Sequence, residues 1–398
     1  MQLNVGAKNT GYDKILNLLL QIFCVLLPFE EALSGSFGSV VKLIGVAIIL
    51  YVIIIYRKII IHRYNYILIA WIVLAALSFF WSKSYYWWLW FFKIYASQTV
   101  FLLVVTGVPK YKISLRKIRK ALMLGAFLAS IILIFFPQNS LLSDDGRRTI
   151  IMFGHRFDPN ILSAVILLGV ASAFNEAFGS LSIKRRCVYV ALILLYFVGI
   201  FFTGSRGGLI STVITSAVFL LFETKKRQNR KLVWIIIAIA ALAFIITVPI
   251  LPSSLLESRF SKSAIFGLNE LNAGVHNRYS IWESALKLIP DRLLFGYGIG
   301  NFLTAIKKVY FRSCASHNLF LLLVVETGII GFLMFITFLI YLLNKLRKSK
   351  QYETYAMMIG ILTISLTLDA LPFKYFWVGL IYAELTINIG QNDTRLVS

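Results

Sequence analysis

The residues of this sequence that are best suited to chemistry stand between long apolar runs. Arg206 lies in a tight turn at 203–208, Arg278 begins a predicted helix, and His317 directly precedes another apolar run. A guanidinium group binds phosphate oxygens through two parallel hydrogen bonds, and an imidazole accepts a proton from a hydroxyl group near neutral pH. Together, these residue types suit a reaction in which a hydroxyl group displaces a pyrophosphate.

Arg206 has no obvious structural purpose in its turn. The surrounding residues, Thr-Gly-Ser-Arg-Gly-Gly, include glycines that permit a sharp reversal, but a reversal needs no arginine. The side chain either extends to lipid head groups or has a function. Because ionisable residues at this depth are usually functional, we favour the second interpretation.

Arg278 lies in the first turn of a predicted amphipathic helix. Asn277 is a suitable cap, and apolar residues recur at helical spacing until Pro290 ends the pattern. An arginine opposes the helix dipole at this position but complements a phosphate bound at the helix N-terminus. The glycines at 296, 298 and 300 permit close backbone approach, although this pattern more often marks a turn.

His317 is a candidate general base at the start of the next apolar run. The alternative is a capping or packed polar residue, and its neighbour Asn318 is a candidate substrate-binding residue. Glu30 and Glu31, at the end of the first apolar run, are alternative bases, or else charges at the level of the lipid head groups.

A further motif, Phe157-Asp158-Pro159-Asn160, opens the sixth apolar run. Asp158 or Asn160 can cap a helix and Pro159 suits a first turn, so a structural role explains the motif as well as substrate binding does. Positive charge is available nearby from Arg147, Arg148, His155 and Arg156.

The elements that must position these residues are membrane helices. Hydrophobic residues make up 59% of the chain, and the mean hydropathy is +0.80. Apolar runs occur at 15–29, 37–56, 64–81, 89–108, 121–136, 160–178, 188–203, 209–222, 232–250, 318–343, 355–370 and 375–389. We therefore predict an all-α integral membrane protein with about 12 transmembrane helices, forming one polytopic domain over 1–398. One long external loop, 251–316, is inserted between spans 9 and 10.

The net charge of +23 follows the membrane topology. Basic clusters occur in every second loop, at 57–63, 110–120, 184–186, 225–231 and 345–350. The positive-inside rule then predicts that both termini are cytoplasmic and that every candidate site residue is external. These charges are expected to contact membrane lipids, and no nucleic acid partner is expected.

Several kinds of site are not expected. No group of His, Cys, Asp and Glu has metal-ligand spacing, so neither a metal nor a cofactor is predicted. The three cysteines, Cys24, Cys187 and Cys314, are too widely separated to indicate a disulfide framework. Phosphate loops of nucleotide-hydrolysing enzymes are absent from the sequence. The energy for a reaction must therefore arrive with the substrate.

Three motifs together resemble the O-antigen ligase and O-antigen polymerase superfamily: the turn at 203–209, Arg278…Trp282 with the glycines at 296–300, and His317-Asn318-x9-Gly328-x-x-Gly331. The resemblance implies a metal-independent, inverting glycosyltransferase at the external face of the bacterial cytoplasmic (inner) membrane. Its donor would be a glycan on undecaprenyl pyrophosphate. Arg206 and Arg278 would hold the pyrophosphate, and His317 would activate the acceptor hydroxyl. Further candidate substrate-binding residues are Arg156, Asp158, Asn160 and Asn318.

Two activities share this scaffold, and the sequence favours the polymerase because the motif at 157–160 resembles polymerases of surface polysaccharides. A polymerase transfers the glycan to the next lipid-linked repeat unit, and a chain-length regulator is then a conceivable partner. A ligase transfers it to lipid A-core, and the stretch from His317 to Gly331 resembles the ligase signature. A lipid-linked glycan flippase or another transporter is a further alternative, for which Lys42 and Lys93 within apolar runs would form a cationic cavity.

Overall fold

The computed structural model describes residues 11–35, 38–136, 146–180, 182–226, 229–231, 233–234, 278–310 and 312–393. These residues form thirteen α-helices: α1 Lys14–Leu26, α2 Val40–Tyr56, α3 Asn65–Leu77, α4 Tyr85–Thr106, α5 Leu115–Phe135, α6 Pro159–Gly179, α7 Ile183–Phe202, α8 Arg206–Thr224, α9 Arg278–Leu288, α10 Phe302–Ala305, α11 Leu319–Lys348, α12 Tyr352–Ile364 and α13 Lys374–Asp393. The described residues also form two short antiparallel hairpins. They pair β1 Ser34–Gly35 with β2 Gly38–Ser39, and β3 Ile151–Met152 with β4 His155–Arg156.

The helices agree with an all-α membrane protein. Six of the described helices, α4, α5, α6, α7, α8 and α11, are long and apolar enough to cross a membrane. Shorter apolar helices occupy Lys14–Phe29, Val40–Tyr56 and Asn65–Trp81 when their terminal 3-10 turns are included. Twelve spans remain a prediction, as do the single domain and the limits of the long loop. The ninth run, 232–250, lies outside the described residues except for 233–234, and so does 251–277.

Helix α6 is the centre of the bundle. It packs against α5, α7, α8 and α12, and 89% of its apolar window is buried. Small residues allow the close approach that membrane helices need for packing. A Cβ atom at Gly169 would lie 2.3 Å from the Cβ of Ala126 on α5. The small side chains at these two positions therefore let α6 pack closely against α5.

A break in α11 holds the glycine-rich loop. Gly328 has φ 64° and ψ −173°, outside the helical range, and a Cβ there would lie 2.3 Å from the carbonyl oxygen of Leu294. The N–H group of Tyr297 donates to the carbonyl of Val325 at 2.9 Å. Gly296, with φ 66°, packs equally closely on the α11 backbone. The glycines therefore serve the approach of one backbone segment to another.

Helix α9 occupies part of the region where the sequence predicts a long loop. It begins at Arg278, and its apolar face joins a second hydrophobic cluster with the glycine-rich loop, α10 and α11; the buried members are Ile281, Ala285, Leu288, Tyr297, Phe302, Ala305, Ile306, Leu322 and Val325. Asn277, the predicted cap, lies outside the described residues. The packing of α9 fixes the segment that precedes α11.

Candidate functional site

A cavity of about 790 Å³ opens at the end of the bundle where α1 ends and where α6, α11 and α13 begin. Its polar lining residues are Glu30, Glu31, Ser39, Lys42, Ser97, Gln98, Asp158, Ser316, His317, Glu326, Asp369 and Lys374. Helices α2 and α4 also supply apolar and aromatic side chains to the wall. The cavity therefore combines charged and polar groups with apolar surface.

His317 stands in the turn immediately before α11, and its neighbours on both sides are bound by Asp369. Ser316 Oγ donates a hydrogen bond to Asp369 Oδ1, and the N–H group of Asn318 donates to the same oxygen at 3.0 Å. The backbone φ of His317 is +49°, a left-handed conformation that is uncommon for residues other than glycine. Such conformations persist where the surroundings impose them, and they cluster at functional sites.

Asn318 has a structural role as the cap of α11. Its Oδ1 accepts the N–H groups of Phe320 at 3.0 Å and Leu321 at 3.1 Å. These contacts satisfy two of the N–H groups that the first turn of a helix leaves without a partner. The Asn318 amide oxygen is therefore engaged with the backbone, whereas the imidazole before it lines the cavity.

Helix α9 supports the same turn. Trp282 Nε1 donates to the carbonyl oxygen of Ser316 at 2.9 Å, so the position of this turn depends on how α9 is docked. Arg278 is the first residue of α9 and is half-buried. It does not belong to the lining of the cavity, but its helix is attached one residue before His317.

Asp158 and Glu31 meet at another side of the cavity mouth. The N–H group of Asp158 donates to Glu31 Oε2 at 3.0 Å, while Asp158 Oδ1 caps α6 by accepting the N–H of Asn160 at 2.7 Å. Burial raises the pKa of Glu31, the hydrogen bond from Asp158 N lowers it, and the Asp158 charge raises it further. Glu30, next to Glu31, forms an ion pair with Lys374 at the start of α13.

The turn that carries Arg206 packs directly against these segments. Ser205 caps α8 by accepting the N–H group of Gly208 at 3.1 Å. A Cβ at Gly207 would lie 2.3 Å from Thr367 Oγ1, and one at Gly208 would lie 2.2 Å from Ser163 Oγ. The half-buried Arg206 thus stands between the start of α6 and the segment that leads to Asp369.

Part of the chain is similar to a known protein family. Residues 191–336 match a family model described as O-antigen ligase. The match covers less than half of the chain and supports the resemblance of this segment to the O-antigen polymerase and ligase superfamily. The matched segment contains Arg206, Arg278 and His317, and it ends within α11. No curated protein matches the chain.

The site residues predicted from the sequence are not all equally close to the cavity. His317 and Asp158 line it, whereas Asn318 and Asn160 stand beside lining residues and belong to helix caps. Arg156 is exposed on β4 and is not part of the lining. The structure therefore brings the histidine and the 157–160 motif together and leaves Arg156 apart.

Two neighbouring arginines hold the α7–α8 turn. Arg148 Nη1 donates to the carbonyl oxygen of Leu133 at 2.8 Å, and its guanidinium lies 4.1 Å from the ring centroid of Phe202. Arg147 Nε donates to the carbonyl oxygen of Thr203 at 3.1 Å. Two of the four basic residues that the sequence places near the 157–160 motif thus stabilise the turn that carries Arg206.

Asp369, Lys374 and Glu326 line the cavity but are missing from the residues predicted by sequence. The apolar run at 355–370 includes Asp369, whereas α12 ends at Ile364. The signal that could have identified Asp369 from the sequence is its position as an ionisable residue within a predicted span. Glu326, also within a span, accepts the N–H group of Phe302 at 3.1 Å and thereby ties α11 to α10.

Proposed function

We propose that this protein is a surface-polysaccharide polymerase at the external face of the bacterial inner membrane. It transfers an undecaprenyl-pyrophosphate-linked glycan to the next lipid-linked repeat unit. The observation that carries the proposal is the position of His317, which lines a cavity while Asp369 holds the residues on both sides of it. The positive-inside distribution of charge supports the external face and cytoplasmic termini.

The reaction follows from these positions. His317 accepts the proton of an acceptor hydroxyl group, and the hydroxyl oxygen attacks the anomeric carbon of the donor glycan. The bond between that carbon and the pyrophosphate oxygen breaks, and undecaprenyl pyrophosphate departs with the electron pair. Attack opposite the leaving group inverts the anomeric configuration. Arg206 and Arg278 bind the departing pyrophosphate and stabilise its developing charge without a metal ion.

We favour the polymerase over the ligase because the 157–160 motif, which resembles polymerases of surface polysaccharides, lies at the cavity. In the stretch from His317 to Gly331, Asn318 caps α11 and Gly328 breaks it, so these residues explain the shape of the turn and not the choice of acceptor. Asp158 of the 157–160 motif lines the cavity, as His317 does, and it also caps α6. Transfer to lipid A-core by a ligase is the alternative activity.

A transporter receives less support. Lys42 lines the cavity, but Lys93 is exposed and is not part of the lining, so the two lysines do not form one cationic cavity in the described structure. The cavity mouth instead contains several carboxylates.

The deciding experiment supplies purified protein in proteoliposomes with undecaprenyl-pyrophosphate-linked repeat units from its host. A ladder of lengthening chains is the expected product. Transfer only after addition of lipid A-core would identify a ligase, and no transfer in either case, with intact substrate, would contradict both glycosyltransferase activities.

The role of the arginines is tested in the same assay. Arg206→Ala should abolish transfer while the protein remains inserted and folded. Arg278→Lys should retain little activity because an ammonium group cannot form two parallel hydrogen bonds with the pyrophosphate as a guanidinium group does. Lys287→Ala, on the exposed face of α9, is the matched control and should transfer normally. Normal activity of Arg206→Ala would exclude the pyrophosphate role.

A further inference from the structure

A second cavity, of about 550 Å³, lies at the opposite end of α6 from the first, between the end of α6 and the starts of α5 and α7. Arg116 and Arg119 of α5 and Arg185 of α7 line it, together with Glu176 of α6. The positive-inside rule predicts that this end of the bundle is cytoplasmic, because two of the basic clusters in the sequence lie there. The proposed transfer reaction takes place at the other end of the bundle and does not use this cavity.

The carboxylate in the wall of this cavity is already neutralised. Arg119 Nε and Nη2 both lie 3.1 Å from Glu176 Oε1, and Arg119 Nη1 donates to the Tyr382 hydroxyl at 3.2 Å. Arg116 and Arg185 are exposed, and neither forms an ion pair with an acidic residue in the part of the chain that the structure describes. Two guanidinium groups therefore remain to bind an anion.

The backbone around the cavity adds to its positive charge. Arg116 and Arg185 stand in the first turns of α5 and α7, where the helix dipole favours an anion and disfavours a basic side chain. Neither first turn contains an acidic residue, and neither N-cap serine caps its helix through its side chain. At the end of α6, where the dipole is negative, Arg186 Nε donates to the carbonyl oxygen of Ser180 at 2.6 Å and offsets that charge. An anion in the cavity would therefore be stabilised by the arginines and by two helix starts.

An apolar stripe on α7 continues from the cavity. Val188, Leu192 and Leu195 follow Arg185 at intervals of three or four residues, so they lie on the same face of the helix. Val188 is 58% exposed, and Leu192 and Leu195 are partly exposed. Only 28% of the apolar window of α7 is buried, the lowest share among the six candidate spans. The cavity thus stands at the end of a surface that suits acyl chains.

We propose that this cavity binds the phosphate group of an anionic phospholipid of the cytoplasmic leaflet, with the acyl chains of the lipid along the α7 stripe. Arg116 and Arg185 donate hydrogen bonds to the phosphate oxygens. Basic pockets between membrane helices on the cytoplasmic side are suited to such head groups. A choline head group presents the same phosphate together with a cation that the arginines repel, so it binds more weakly. Because the lipid contacts α5, α6 and α7 together, it stabilises their packing.

The test measures lipid binding and thermal stability and needs no transfer assay. The full-length protein in a non-ionic detergent is titrated with phosphatidylglycerol or with phosphatidylcholine of the same acyl chains. Native mass spectrometry gives the affinity for each lipid, and the thermal midpoint is measured in parallel. We expect phosphatidylglycerol to bind at least about tenfold more tightly than phosphatidylcholine and to raise the thermal midpoint, since a ligand that binds only the folded state stabilises it.

Variants attribute the binding to the two free arginines. The double variant Arg116→Gln, Arg185→Gln should lose most of its preference for phosphatidylglycerol, to about twofold or less. Without lipid, its thermal midpoint should equal or exceed that of the wild type, because it removes positive charge from two helix starts. The matched control, Arg63→Gln with Arg347→Gln, removes two exposed arginines from other basic clusters and should bind phosphatidylglycerol like the wild type.

Four results would overturn the proposal. The first is equal affinity of the wild type for the two lipids, and the second is an equal loss of affinity in the control variant, which would indicate only a general effect of charge. The third is a lower thermal midpoint of the Arg116 and Arg185 variant without lipid, which would identify these arginines as structural residues. The fourth is a rise in thermal midpoint with soluble glycerol 3-phosphate as large as that with phosphatidylglycerol, which would indicate a soluble phosphate ester as the ligand.

Discussion

Variants of His317 can distinguish the effect of its backbone conformation on stability from the effect of its imidazole on activity. The left-handed backbone at φ 49° costs most residues about 1–2 kcal/mol, whereas asparagine and glycine adopt it more easily. His317→Asn and His317→Gly should therefore fold as stably as the wild type, and the relief of strain is worth up to about 1 kcal/mol. The thermal midpoint in detergent reports this stability.

The same variants should lose most of their activity. A general base contributes about 10²- to 10⁴-fold to the rate, which corresponds to about 3–5 kcal/mol in the activation barrier. The assay compares initial rates of chain lengthening at saturating lipid-linked substrate. Near-normal rates in the asparagine variant would refute the role of His317 as base and direct attention to Glu31. A large fall in thermal midpoint would instead identify His317 as a packing residue.

Three other predictions test how the site is positioned. Trp282→Phe removes the donor that holds the turn before α11, so kcat should fall about tenfold while the thermal midpoint drops little, by about 1 kcal/mol in stability. Gly328→Ala should lower the thermal midpoint far more than Gly154→Ala. Both residues have positive φ, but only Gly328 lacks space for a Cβ atom. Burial and the Asp158 charge raise the pKa of Glu31 above its unfolded value, so its ionised form destabilises the fold at neutral pH, and this penalty disappears as the pH falls. Glu31→Gln should thus raise the thermal midpoint at pH 7, with a gain that shrinks toward about pH 4; a gain that is independent of pH would contradict this explanation.

The helices were accessible to sequence reasoning because long apolar runs have few alternatives in a membrane. The predicted run at 160–178 corresponds to α6, Pro159–Gly179, and the run at 318–343 corresponds to α11, Leu319–Lys348, with residue 318 as its cap. Helix ends were less accessible. The run at 355–370 continues past the end of α12 at Ile364, since hydropathy does not register the turn that places Asp369 beside His317.

The site was only partly predictable for a related reason. His317 and Asp158 could be identified because each belongs to a short motif of adjacent residues. The partners that position His317 are distant in sequence. Asp369 belongs to no motif, and the motif Arg278…Trp282 does not indicate that Trp282 binds the turn before α11. The glycines at 296–300 permit a close approach, but only the structure reveals the partners, which are the broken backbone of α11 for Gly296, Ser82 for Gly298 and the α4 backbone at Trp87 for Gly300.

The most direct test of the central claim is the release of undecaprenyl pyrophosphate during transfer. Purified protein is incubated with lipid-linked repeat units in the presence of a chelator, and mass spectrometry counts the released carrier lipid and the new glycosidic bonds. We predict one undecaprenyl pyrophosphate for each new bond, with chelator present and with inverted anomeric configuration. Loss of transfer that is restored by a divalent cation, or carrier release without bond formation, would contradict a metal-independent displacement at this cavity.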